Sequence, residues 1–512
     1  MKKLYLYIMC SLLATVLHAQ DGFGTYLREV IEKQEKGVLV AAKLIDACGL
    51  CDSLDLVMDY EYELRYQYGT FGNYTDNSYY NTYYAPEHRY YGYTLFAETD
   101  DFWESVLGKN YKAITATDIA GYIQQHCQFT RDYSNDANYS NPENALYQFV
   151  TYHLLNRRLS PDYLVNHYNE REYNTNNPYK YTVPVCEYYT TMGDRRLLRV
   201  YESRESDGIF LNRFPVLDNG RQGSYHELSC DTDKAGIAID MSNAILNDIR
   251  NATIYPINQL LAFDQATAQN MGSIRLRMDM ASFFPEMASN GIRLSKSMEA
   301  RRTNVYLPCD KYPYLDDLTI NDNSSVFCYN TGYKQGWMNM LGDEFFCTGN
   351  VPFDITLRLP PVPTKDTYEL RMSESTSGST KGIVQVYFGT DPDNLSPLGM
   401  PIDFRQSFLP YVADTGDDSY DQMIDNEMYE NGFMKGCMQY CAGFGGSSQM
   451  MRHSNMCLRR ILGRQMMEPE KTYYLRFKSL ELDYKMKKII FDYIEFCPES
   501  VYDNPNVPED IW

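Results

Sequence analysis

Basic charge is what this sequence has too little of. Lys and Arg number 47 against 68 Asp and Glu, a net charge of −21 at pH 7. Holding a phosphate backbone needs a basic face, so the deficit argues against nucleic acid as a partner. It argues equally against docking on anionic lipid. Tryptophan is scarce too, at 3 residues, which speaks against a Trp-lined sugar platform. After the N-terminus no run reaches the ~18 uncharged apolar residues of a membrane helix, so the chain is not read as an integral membrane protein. Catalytic signatures are missing as well. There is no HExxH, no phosphate-binding GxxxxGK[ST] and no GxSxG elbow. Gly443-Phe444-Gly445-Gly446-Ser447 is Gly-rich but follows no clear strand and has no Lys, so it reads as a plain loop.

What is present is a chain of 512 residues, 44% hydrophobic and 22% charged, which can bury real cores. At roughly 100–200 residues per domain it divides into about two to four domains. Tyrosine is the excess: 47 residues against 23 Phe. Rings with a polar tip suit surfaces that are both apolar and wet.

The N-terminus reads as a secretory leader, residues 1–19. Lys2-Lys3 precedes an apolar stretch from Leu4 to Leu17, and Ala19-Gln20 is a small-polar cleavage junction. Cys10 is not read as a lipidation site, because Tyr7-Ile8-Met9 before it is bulky. The short leader suggests a bacterial protein exported to the periplasm, the outer cell surface or the medium. Cysteine adds little. Cys48 and Cys51 form a CxxC, but it ends a helical stretch instead of following a strand. Cys437, Cys441 and Cys457 have only His453 nearby and no paired spacing for zinc. Buried thiols, or a few disulfides in an oxidising compartment, are the expectation.

Along the first half, Leu27, Val30 and Ile31, then Leu44, Ile45 and Cys48, repeat at helical spacing, so 22–51 reads as helix stopping at Gly49. A segment from Tyr60 to Tyr93 follows, with twelve tyrosines among Gly, Asn, Ser and Pro. The run Tyr93–Ala97 reads as a strand, and Thr99 or Asp100 as the cap of the next helix. Thr117-Asp118 opens a second helix. Residues 142–158 read as a third, with Pro142 in its first turn and Leu146, Phe149, Val150, His153 and Leu154 inward. A histidine on an apolar face is more often a hydrogen-bonded core residue than a base. Residues 160–240 read as irregular and polar.

These segments resemble a fasciclin domain. Leu44 to Leu50 is similar to the family's opening helix, Thr94-Leu95-Phe96-Ala97-Glu98-Thr99-Asp100-Asp101-Phe102 to its first motif, Tyr152-His153-Leu154-Leu155 to its "Y-H" segment, and Asn251 to Leu261 to its closing motif. Glu98, Ala252 and Tyr255 depart from the family's proline, glycine and histidine. The resemblance covers 22–265, with 60–92 and about 160–235 as insertions. It implies a mixed α/β adhesion module without a catalytic centre.

From about 270 the pattern becomes short alternating strands around Phe353–Leu359, Tyr368–Met372, Ile383–Phe388, Tyr473–Phe477 and Ile489–Phe496, an all-β sandwich or jelly roll. Tyr368-Glu369-Leu370-Arg371, Gly382 to Tyr387 and Phe491-Asp492-Tyr493-Ile494-Glu495-Phe496 are similar to galactose-binding-like sandwiches. That resemblance implies a carbohydrate-binding module over 270–505, followed by a tail at 506–512. Some such modules carry a structural calcium ion, for which Asp492 and Glu495 are the candidates here. Solvated strand-edge carboxylates are their competing reading.

The fold expected is therefore an α+β fasciclin-like domain plus an all-β jelly-roll sandwich. Candidate ligand-binding residues are Tyr79, Tyr80, Tyr83 and Tyr84, set among Asn and Ser, and Tyr333 and Trp337 in Gly332-Tyr333-Lys334-Gln335-Gly336-Trp337. Flat rings beside amides and hydroxyls suit sugar faces and protein contacts alike. The function expected is non-catalytic adhesion or glycan binding at a bacterial surface, accessory to polysaccharide capture, with no cofactor beyond that calcium. The alternatives are an envelope component that binds a protein partner without sugar, and a glycosidase using two of the many carboxylates.

Overall fold

The computed structural model describes residues 22–62, 81–86, 88–165, 185–203, 205–217, 227–293, 303–307, 313–322, 325–331, 339–349, 352–375, 381–406, 414–437, 440–442, 448–454, 457–481 and 488–504. The leader and the 506–512 tail lie outside them. Helices combine with several antiparallel sheets, a mixed α+β architecture rich in β structure and sandwich-like in its second half.

The first half is layered around a three-stranded sheet. Tyr93–Glu98 lies between Ala252–Ile257, to which it runs parallel, and Leu154–Leu155. Leu95, Ala97 and Ile254 pack on the helices Phe23–Lys33, Leu39–Ala47, Ala116–His126 and Ala145–Tyr152. Phe96, Tyr255 and Ile257 point to the other face, where Leu198, Val200 and Leu211 cover them. A strand covered on both faces loses the polar alternation of a half-exposed one, which is why Tyr93–Ala97, with Thr94 its one polar residue, reads as a nearly continuous apolar run.

Several local expectations shift. The helix expected over 22–51 breaks into two helices and a short third, Cys51–Leu54. Gln34 takes a left-handed conformation at φ 54° and Gly37 sits at φ 140°. Asp100 accounts for the restart: its carboxylate accepts from the amides of Gly37, Leu39 and Val40 at 2.7–3.1 Å, capping a helix from sixty residues away. Thr115, not Thr117, caps the next helix, in a reciprocal capping box with Asp118. The third helix is shorter than expected. Asn144 caps it, Pro142 lies outside it, His153 ends it, and Leu154 belongs to a strand. The described residues of 160–240 are not irregular. Val185–Thr190, Leu197–Ser203, Gly208–Leu211 and Ile237–Ala238 form a four-stranded antiparallel sheet. Its buried polar residues hid it: Arg199 rests over the rings of Tyr201 and Phe214, 5.1 Å from each centroid.

The second half contains three larger sheets around one core. The first orders Asn81–Tyr84, Thr303–Leu307, Ser325–Thr331, Asp343–Gly349 and Ile489–Phe491. The second orders Leu276–Asp279, Tyr493–Pro498, Asp366–Ser375, Cys457–Met467 and Phe433–Lys435. The third centres on Asp354–Arg358, Tyr474–Ser479 and Ile383–Gly389. The strand expected over 489–496 is two strands in two sheets, and Asp492 is the corner between them. An acidic helix, Asp418–Glu430, also stands where only strands were expected. Tyr62, Ala85, Tyr188, Leu197 and Phe214 join the second-half core. The Tyr-rich segment therefore does not stay with the first half: its strand Asn81–Tyr84 runs parallel to Thr303–Leu307.

Candidate functional site

The clearest convergence of candidate residues is at one end of the first second-half sheet. Asn81 is in register with Thr303, Thr303 with Thr331, and Thr331 with Asp343. Tyr79 and Tyr80 immediately precede Asn81 in sequence, and Tyr333 and Trp337 lie between Thr331 and Asp343. Those four side chains fall outside the described residues. Tyr83 and Tyr84 lie on the strand itself, opposite Val305 and Tyr306. The register thus gathers the flanks of both aromatic groups at one sheet end, a proximity no sequence spacing reveals.

The described tyrosines of the same segment divide in two. Tyr62 is buried, edge-on to Tyr314 at 5.3 Å and beneath Arg89, and Tyr93 is buried in the first-half core. Tyr60 is 68% exposed, and Leu56 and Tyr91 are exposed beside it. The backbones meet there, since the Tyr91 amide donates to the Val57 carbonyl at 3.0 Å. Trp103 is wholly buried among Phe102, Tyr122 and Phe149 and is a core residue.

Asp492 and Glu495 are neither solvated strand-edge groups nor fitted to calcium. Glu495 is fully buried with Arg459 at 3.1 Å, Arg277 at 2.7 Å and Arg275 at 3.4 Å. Burial opposes its charge, but Arg459, Arg275, Arg277 and Arg371 outweigh burial and hold the carboxyl well below its ordinary range. A carboxylate ringed by guanidiniums repels a metal ion. Asp492 is buried at the sheet corner, where it accepts from the Met340 amide at 3.0 Å and the Ser373 hydroxyl at 3.2 Å. Burial pushes its carboxyl well up. Calcium prefers six to eight oxygen ligands. Among the described residues no group of three or more His, Cys, Asp or Glu side chains is placed to hold a metal ion.

Two further polar groups needed geometry to place them. His153 is buried, with Nδ1 2.7 Å from the Phe149 carbonyl and Nε2 2.9 Å from Glu98. The carbonyl only accepts, so Nδ1 carries the proton of that bond. Glu98 also accepts from the Leu261 amide at 2.9 Å. The pair closes one end of a small apolar cavity walled by Leu44, Ile45, Leu95 and Phe149. The other group is a square of charges around Asp414. Lys435 donates to it at 2.8 Å, and Arg452 bridges Asp414 and Asp425. Burial works against the Asp414 charge, but His453, Arg452 and Lys435 hold its carboxyl far below the ordinary range. Every charge in that square is answered by its neighbours, which is a structural use.

Cys48, Cys51, Cys127, Cys186, Cys230, Cys328 and Cys437 are free thiols. Burial pushes Cys48 and Cys51 up to about 12, so this CxxC has no thiolate to react with. The Gly-rich stretch 443–447 does follow a strand, contrary to expectation. It joins Tyr440–Ala442 to Ser448–Met450, which pair antiparallel. A strand after the glycines, instead of a helix N-terminus, removes the geometry of a phosphate loop.

No family model matches the chain, and no curated protein matches it. Among solved structures, 35% of the chain is similar to 12% of a Paenibacillus xanthan lyase, at 13% identity and a TM-score of 0.20. A Bacillus thuringiensis Cry1Da tryptic core variant covers 39% of the chain with 24% of its own, at 9% identity and a TM-score of 0.17. The mosquito-larvicidal Cry4Aa toxin of the same organism covers 38% with 23% of its own, at 13% identity and a TM-score of 0.17. The chain thus spans a quarter or less of each of these proteins. Likenesses this slight carry no argument for fold or function. Among the described residues, no helix is long and apolar enough to cross a membrane.

Proposed function

We propose that the chain is an exported, non-catalytic adhesion or glycan-binding protein of a bacterial surface. It works through the aromatic end of the first second-half sheet. The observation that carries this reading is the register Asn81–Thr303–Thr331–Asp343, which brings the flanks of Tyr79-Tyr80 and of Tyr333 and Trp337 to one end of the sheet. In this reading 22–265 is a fasciclin-like module and 270–505 a galactose-binding-like jelly roll. Three segments with the fasciclin resemblance meet in one sheet, and Asn251 ties its closing motif to Phe23, Leu54 and Leu56, which supports keeping it. The described titratable clusters are internally neutralised or sealed from solvent, which favours binding over turnover.

Polysaccharide pull-down and glycan-array binding with residues 20–512 test this. Replacing Tyr79, Tyr80, Tyr83 and Tyr84 with Ala, or Trp337 with Ala, should weaken binding by about tenfold or more at unchanged Tm, as loss of aromatic anchors does. A Tm drop of many degrees would show that the rings are core. Binding to no glycan would move the site to a protein partner, and turnover of a bound glycan would overturn the non-catalytic reading.

A further inference from the structure

Three carboxylates converge on one guanidinium where three sheets meet. Arg293 lies 3.0 Å from Glu187, 3.2 Å from Asp279 and 3.4 Å from Asp343. Glu187 belongs to the four-stranded sheet of the first half. Asp279 ends the edge strand of the sheet built on Asp366–Ser375, and Asp343 opens a strand of the sheet that holds Ser325–Thr331. All four residues are buried, none more than 3% exposed.

One cation cannot neutralise three buried carboxylates, and burying an unpaired carboxylate is costly enough that it takes up a proton instead. The remaining neighbours confirm the deficit of positive charge. Tyr329 donates to Asp343 at 2.8 Å, and the Ala281 amide donates to Asp279 at 2.7 Å. Asp492 adds a negative group facing Asp279, and Glu344 stands beside Asp343. Arg157 is the other cation acting on Glu187, from across the packed elements. Tyr189 faces Arg293, while Tyr163 spends its hydroxyl on the Arg293 carbonyl at 2.6 Å. The decisive feature is Asp279 Oδ2, which is buried with no hydrogen-bond partner while Asp343 shares the same guanidinium. An ionised carboxylate has only acceptors, so a buried oxygen that no donor reaches favours taking up a proton there. Burial pushes Asp279 well up, and Glu187 and Asp343 up as well.

We propose that the Asp279–Asp343 pair is a proton-binding site that locks the three sheets onto Arg293, and that loss of the proton at alkaline pH loosens this junction. Two adjacent negative charges then face a single guanidinium in a dry site. A carboxyl raised in the folded state favours folding fully at acid pH. That contribution is lost as pH rises through its folded value. The lock is thus closed in acid and opens in base.

Hydrogen–deuterium exchange of the full chain at about pH 5 and about pH 9, corrected for intrinsic exchange, reads the junction directly. Amides in 185–190, 276–293 and 343–349 should lose about tenfold or more protection at the higher pH, while those in Ala116–His126 keep theirs. Asp279→Asn places an amide donor where the proton sat and should abolish the difference. If that variant does not fold, Asp343→Asn supplies the donor from the other side and makes the same comparison. Equal protection of the wild-type junction at both pH values would overturn the proposal. So would equal loss in the helix, or a folded Asn variant that follows the wild type.

Discussion

Glu495 and Phe96 mark the two ways a single residue holds this protein together. Glu495 lies under four guanidiniums, so Glu495→Gln would strand several buried cations at once. Breaking a buried charge network from one side costs about 3–5 kcal/mol, and urea unfolding at neutral pH should show a loss of that order. Phe96 is wholly buried against Tyr255, with ring centroids 5.8 Å apart, and Leu154 is wholly buried on the opposite face. Phe96→Ala or Leu154→Ala should each destabilise by about 2–5 kcal/mol in the same assay. Near-wild-type stability would refute their place in the core. The apolar pair was legible in sequence because apolar runs announce burial. The acidic residue was not, because its arginines come from positions 275, 277, 371 and 459.

At the level of elements, caps and close approaches decided what periodicity left open. Thr99 does cap the helix Asp100–Leu107, accepting from the Phe102 amide. Asp100, read as its rival for that cap, instead serves the helix Leu39–Ala47. Gly24 permits a close helix contact: a Cβ there would lie 1.9 Å from the Cys51 carbonyl oxygen. Gly24→Ala should therefore cost about 1–3 kcal/mol through overpacking, against the small gain Ala gives an unobstructed helix. A variant with raised Tm would show that the helices Phe23–Lys33 and Cys51–Leu54 can part freely. The strand Cys457–Met467 escaped sequence reading because it carries Arg459, Arg460 and Arg464. Polar residues inside a sheet erase the alternation that marks a strand, and the partners that justify them are remote.

For the whole molecule, the buried carboxylates fall into two classes that bound stability from both sides. Asp414 and Glu495 are held low by their cations, so the stability they supply is present at neutral pH and lost as pH falls below the ordinary carboxylate range. Burial raises Glu344 to about 7, and burial with Asp316 nearby raises Glu286 to about 8. Their contribution is full below the ordinary carboxylate range and is lost as pH rises through those values. Tm measured across pH should therefore peak on the mildly acid side of neutrality and fall in both directions. Glu344→Gln should flatten the alkaline limb. A Tm that rises steadily to pH 9 would contradict the assignment of these groups.

The sequence by itself determined the broad division of labour: helices and a buried strand first, alternating strands afterwards, an acidic surface, and tyrosines in polar company. Those features depend on neighbours within a few residues, which is the range over which composition and periodicity act. Only the tertiary structure decided that Asn81–Tyr84 crosses into the later sheet, that Asp492 turns a corner between sheets, and that Arg293 gathers carboxylates from three of them. Pairing between distant strands and the company of a buried charge are set by which surfaces meet when the chain collapses. One residue's identity carries no record of a partner a hundred or more positions away.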